Sequence, residues 1–170
     1  RAGKSFFALH FLHKSGTFGY ANFDDEKLVD AKDYDEIIAS INSIYNTPKY
    51  LLFDEIQNLP KWELFVNRMQ RQGHNLVITG SNSNLLSKEL ATHLTGRHVL
   101  LHIFPFSFKE AIRSEARELT SAEMKTKLDE YILQGGYPEP LLKHLNQKEY
   151  LRTLLSSIIF KDIVKRYSIR

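Results

Sequence analysis

The chain contains no cysteine, which excludes disulfides and thiolate metal sites and fits a reducing, cytoplasmic setting. No apolar stretch approaches the length of a membrane span, and no signal-peptide pattern opens the chain, so no membrane partner is expected. Seven histidines are scattered without an HExxH pair, and no metal beyond Mg²⁺ is expected. Glycine and proline are sparse, at eight and five residues, and no low-complexity linker or internal repeat appears. The formal charge of +3 is too mild to argue for nucleic acid by itself. What remains is an ordinary globular composition. The 170 residues, 42% of them hydrophobic, suffice to bury one sizeable core.

Three segments carry chemistry. Arg1-Ala2-Gly3-Lys4-Ser5 reads as the last five residues of the phosphate-binding pattern G-x-x-x-x-G-K-[ST]. Gly3 lets the backbone approach phosphates, Lys4 can reach the β- and γ-phosphates as a point charge, and Ser5 can offer its hydroxyl to Mg²⁺. The helix expected over 4–14 would turn its N-terminal dipole toward the same phosphates. In the second segment, Tyr50-Leu51-Leu52-Phe53 is a short continuous apolar run, the mark of a strand buried on both faces. It ends in Asp54 and Glu55, where ligands of parallel α/β sheets gather. Asp54 suits the Walker B role of holding Mg²⁺, and Glu55 that of orienting or deprotonating a water aimed at the γ-phosphate. The alternative is a solvated acidic pair opening a turn. In the third segment, Leu76-Val77-Ile78 runs into Gly80-Ser81-Asn82. Ser81 and Asn82 are candidates for bonding the attacking water or the γ-phosphate, the position called sensor 1, with turn chemistry as the competing account.

Hydrophobic periodicity predicts strands at 19–24, 50–53, 76–78 and 98–104. Helices are predicted over 4–14, 34–45 (Ile37, Ile38, Ile41 and Ile44 on one face), 60–71 (Trp62, Phe65, Val66 and Met69 as its stripe) and 85–94. Further helices follow over 107–117, 121–134, 138–145 and 147–166. Strands alternating with helices and then helices alone predict an α/β fold, a three-layer P-loop parallel sheet followed by an α-helical lid. The core is expected over 1–105 and the lid over 106–170. The strand that should precede the phosphate loop is missing, which points to an internal fragment whose lost strand would lie between those of Ile78 and 98–104.

RAGKS at 1–5, YLLFDEIQNLPKWE at 50–63, VITGSNSNLLSKE at 77–89, LTGRHVLLHIFPFSFKE at 94–110, QGGYPEPLL at 134–142 and IIFKDIVKRY at 158–167 together resemble the archaeal- and bacterial-type AAA ATPases of the AAA+/STAND group. The resemblance implies ATP and Mg²⁺ as ligands and hydrolysis as the reaction. It implies that Arg97 stabilises transition-state charge, beside the plainer account of a helix-ending cation. It also implies that Pro138, in Gly136-Tyr137-Pro138, packs on adenine, while Pro138 as a helix start serves equally and both can hold at once. A winged-helix or DNA-cleavage-like domain would follow Arg170, bringing self-association or DNA as partners beside the nucleotide. Two other readings stand beside hydrolysis: a P-loop phosphotransferase and a non-hydrolysing, nucleotide-gated interaction module. The Asp54–Glu55 pair argues against the first. The basic residues Lys161, Lys165, Arg166 and Arg170 read as solvated helix charge.

Overall fold

A computed structural model describes residues 2–31, 33–80, 96–113, 117–143 and 145–159. The chain divides into two compact units, one formed by Lys4–His102 and the other by Gly3 with the chain from Ile103 onward.

In the first unit, helix α1 (Lys4–Ser15) leads to strand β1 (Phe18–Asn22), a single turn α2 (Glu26–Val29) and helix α3 (Tyr34–Tyr45). Strand β2 (Tyr50–Asp54), a 3₁₀ turn (Ile56–Asn58), helix α4 (Trp62–Arg71) and strand β3 (Asn75–Ile78) follow. The strands form a parallel sheet in the order β1-β2-β3, with Tyr20 opposite Leu52 and Phe53 opposite Ile78. This is the expected α/β, P-loop-like architecture.

Central strand β2 is apolar on both faces because both are covered. On one face Leu52 meets Ala8 and Leu12 of α1. On the other, Leu51 and Phe53 join Ile37 and Ile41 of α3 and Trp62, Phe65, Val66 and Met69 of α4. Trp62 is thus a packing residue. Gly19 is required here: a Cβ would collide with Ile41, so any side chain would push α3 off the sheet.

Several boundaries differ from the sequence expectation. Strand β1 ends at Asn22, because its side chain accepts the Asp24 N–H (3.0 Å) and Asp25 caps α2 by accepting from Lys27 N–H (3.0 Å). Such local side-chain bonds compete with a strand ladder. Helix α4 starts at Trp62 rather than Pro60, since Lys61 adopts a left-handed backbone at φ +52°. Ile44, on the last turn of α3, stands 74% exposed. The expected strand at 98–104 is absent: these residues form no ladder, and Val99 is 88% exposed. Strand propensity describes only fitness for a pleated surface, and these residues pair with none of the three strands of the sheet. The expected helix over 85–94 and the basic cluster from Lys161 to Arg170 lie outside the described residues.

The second unit is helical: α5 (Phe108–Ile112), α6 (Ser121–Gln134), α7 (Pro138–Lys143) and α8 (Gln147–Ser157). Helices α5 and α7 are shorter than expected, and the expected end of α8 lies outside the described residues. Reciprocal capping boxes start α5 (Ser107 with Glu110) and α6 (Thr120 with Glu123). Each satisfies two backbone donors that a helix start otherwise leaves open. Phe106 N–H donates to Gly136 O (2.7 Å), and Tyr131 Oη donates to Phe106 O (2.7 Å). A Cβ on Gly136 would run into that same Phe106 carbonyl, so only glycine lets the two backbone segments meet. Among the described residues, no helix is long and apolar enough to cross a membrane.

Candidate functional site

The chemistry of the first unit converges on the carboxyl end of β2. Asp54 is 4% exposed, and a buried carboxylate is tolerated only when its oxygens are satisfied. Three hydroxyls from three elements do so. Ser5 Oγ, in the first turn of α1, donates to Oδ1 (2.8 Å). Thr79 Oγ1, just past β3, donates to the same oxygen. Tyr20 Oη, from β1, donates to Oδ2 (3.2 Å). Burial first, and then the neighbouring Asp54, push the Tyr20 phenol up to about 12, so it stays a donor at neutral pH.

The backbone holds this point equally firmly. Asp54 O accepts from Phe23 N–H (2.9 Å), Phe53 O from Thr79 N–H (2.9 Å) and Thr79 O from Ile56 N–H (3.2 Å). The ends of the three strands are therefore locked together where the site lies. Thr79 Oγ1 also accepts from Glu55 N–H (3.3 Å). One hydroxyl thus links the backbone of Glu55 to the carboxylate of Asp54.

Glu55 leaves the strand at φ +52°, a left-handed conformation uncommon for a residue with a Cβ. Its carboxylate is half-buried and accepts a short bond from Gln57 Nε2. Asp24, near the same end of the sheet, accepts from Asn58 Nδ2 (2.8 Å) and braces a loop, as turn chemistry would have it.

The structure brings together Ser5, Asp54 and, one residue on, Glu55. Lys4 opens α1 and is half-buried. Gly3 has φ +90°, a conformation that favours glycine, and it belongs with the second unit. There a Cβ on Gly3 would lie 3.9 Å from Pro138 Cγ, and Pro138 is the first residue of α7. Arg97 is exposed, directly after Gly96 at φ +73°. Ser81 and Asn82 lie outside the described residues.

Sequence reasoning missed Tyr20, Thr79 and Gln57. Thr79 had a usable signal: Phe53 pairs with Ile78, so the first polar residue after each apolar run falls side by side. Tyr20 had none, because a phenol in a five-residue strand reads as packing.

The donor set at Asp54 fits Mg²⁺, a hard cation that takes oxygen ligands and binds through one or two carboxylates plus phosphates. A serine hydroxyl and a carboxylate oxygen sit 2.8 Å apart, close enough to share one shell with water or phosphate.

The AAA domain family matches residues 1–112. An uncharacterized protein of Methanocaldococcus jannaschii is 39% identical over 183 aligned residues, covering all of this chain and 41% of its own. An uncharacterized protein of Haemophilus influenzae is 34% identical over 153 residues, covering 89% of this chain and 38% of its own. The chain thus spans about two-fifths of the length of these curated relatives. No solved structure matches it.

Proposed function

This chain belongs to the AAA domain family, and from that premise we propose that it binds ATP with Mg²⁺ and hydrolyses it. The observation that carries the proposal is the Ser5–Asp54 hydrogen bond, which joins residues 49 apart in sequence. It couples the first helical turn after the phosphate loop to the end of the central strand. A structural pair alone would not require both a GKS tripeptide and a strand-end aspartate at its two ends.

In this reading Lys4 places a positive charge against the β- and γ-phosphates, and the N-terminus of α1 presents its backbone N–H groups to the same oxygens. Ser5 and Asp54 would hold Mg²⁺, which would supply positive charge against the phosphates during transfer. Glu55 accepts a proton from, or orients, the attacking water. Arg97, Ser81, Asn82 and Pro138 keep the roles the resemblance implies, as parts of the proposal. What the cycle drives belongs to the whole protein. Self-association or DNA engagement through a following domain is the proposal there, and sedimentation and DNA gel-shift with and without ATP read it out.

Two variants of the full-length protein test the reading. Lys4→Ala removes a charge-assisted contact of about 1.5–3 kcal/mol and should weaken ATP roughly 10- to 100-fold. Unchanged affinity in a fluorescent-nucleotide titration would sink the phosphate-loop assignment. Glu55→Gln keeps the shape but loses the base. It should bind ATP almost normally while single-turnover phosphate release falls about 100-fold or more. Release at the parental rate would leave Glu55 a solvated carboxylate, no release even from the parent would favour the nucleotide-gated module, and transfer to an added acceptor would favour the phosphotransferase.

A further inference from the structure

Asp54 is held asymmetrically. Oδ1 takes bonds from Ser5 and Thr79, whereas Oδ2 takes one from Tyr20 (3.2 Å). Under the proposed function Ser5 is itself a metal ligand, so its hydroxyl turns to the cation when Mg²⁺·ATP binds. Tyr20 does not face that competition. It stands on the α1 face of the sheet opposite Leu52, and its phenol reaches along that face to the strand end. The ring packs against the buried cluster of Ala8, Leu12 and Leu52, which fixes where the hydroxyl points.

We infer that Tyr20 is a positioning residue that holds the Asp54 carboxylate in its metal-binding orientation by donating to Oδ2 while Oδ1 turns to the cation. Partners of metal-binding carboxylates orient them and raise affinity without touching the metal. Nucleotide itself is bound through Lys4 and the backbone at the start of α1, neither of which involves Tyr20. The inference rests on the proposed function, and it separates two quantities that a packing role would not: affinity for ATP alone, and the gain in affinity that Mg²⁺ provides.

The test measures fluorescent ATP-analogue binding to the full-length protein in EDTA and across a Mg²⁺ titration, with Mn²⁺ binding followed by electron paramagnetic resonance. Tyr20→Phe removes one oxygen and keeps the ring. It should leave the EDTA affinity unchanged and raise the Mg²⁺ and Mn²⁺ concentrations for half-maximal effect about tenfold. Tyr20→Leu should shift the metal midpoints equally, and Tyr20→His, which keeps a ring donor, should recover part of the loss. Unshifted metal midpoints in Tyr20→Phe overturn the inference, as does a shift confined to Tyr20→Leu, which would assign Tyr20 to packing. If Tyr20→Phe does not fold, Tyr20→His decides: midpoints no better than those of Tyr20→Leu overturn the inference. A parent protein whose ATP affinity ignores Mg²⁺ overturns the proposed function and this inference together; a Mg²⁺-dependent parent with an indifferent Tyr20→Phe overturns only the inference.

Discussion

The two units are held together by different physics. In the first, large apolar side chains from β1, β2, α3 and α4 meet across long stretches of sequence, and Phe23, Phe53 and Ile56 are completely buried. In the second, the buried side chains are few among the described residues: Leu154, Pro140 and Gln147. Two of its helices begin on capping boxes, and one glycine-enabled approach brings the backbones of Gly136 and Phe106 together. Non-directional burial thus secures the first unit and directional hydrogen bonding much of the second. The second should tolerate changes of apolar volume better than the first.

Truncation in the first unit should have the largest effect. Phe53 lies 0% exposed between the rings of Phe23 (5.8 Å) and Phe65 (5.4 Å). Phe53→Ala should cost about 3–5 kcal/mol in urea denaturation. A loss of that size from truncating half-exposed Leu128 would erase the contrast between the units. Next in size is Gly136→Ala, whose Cβ must displace the Phe106 carbonyl, at about 1–3 kcal/mol for an overpacked contact. Hydrogen exchange should accelerate at the amide of Phe106, which loses its bond to Gly136 O. Exchange that quickens equally throughout β2 would mean that the glycine secures the whole chain.

The smallest effect belongs to Glu123. Arg117 above all, and then the backbone and hydroxyl of Thr120, lower its carboxyl from 4.5 to about 2. A depressed carboxyl contributes stability above its unfolded value and loses it as pH falls through the folded one. Helix content of Glu123→Gln should therefore lag the parent at pH 7 and converge with it between about 4.5 and about 2. The group is solvent-exposed, so added salt should shrink the difference. A pH-independent gap would show that the side chain acts through packing instead.

Much of the first unit could be read from sequence because burial on both faces leaves a plain mark. The run Leu51-Leu52-Phe53 announced its strand, and Asp54 and Glu55 follow from where such a strand ends. The stripe of Trp62, Phe65, Val66 and Met69 was equally plain, since all four face one core. Sequence says less about what a residue meets. The apolar residues of 98–104 look fit for a strand, yet pairing depends on a partner strand that no local pattern encodes. Helix α2 was overlooked because four residues give no period. Thr79 and Tyr20 escaped for a related reason: their importance lies in register across strands, not in their own neighbours along the chain. Ser5 and Asp54 meet through a hydrogen bond between residues that sequence could only name separately, while Ser81 and Asn82 lie outside the described residues.

The hydroxyl cage also bears on the order in which the chain folds. The contacts of Ser5, Tyr20 and Thr79 with Asp54 span 49, 34 and 25 residues, and closing each loop costs entropy that grows with its length. Each needs β2 to meet an element distant in sequence, and parallel pairing is slow for that reason. The capping boxes, by contrast, join residues three apart and can form almost at once. A chain emerging during synthesis would therefore acquire helical turns long before it could close the cage around Asp54. A closed cage at Asp54 is then a late checkpoint, passed only by molecules whose three strands have paired.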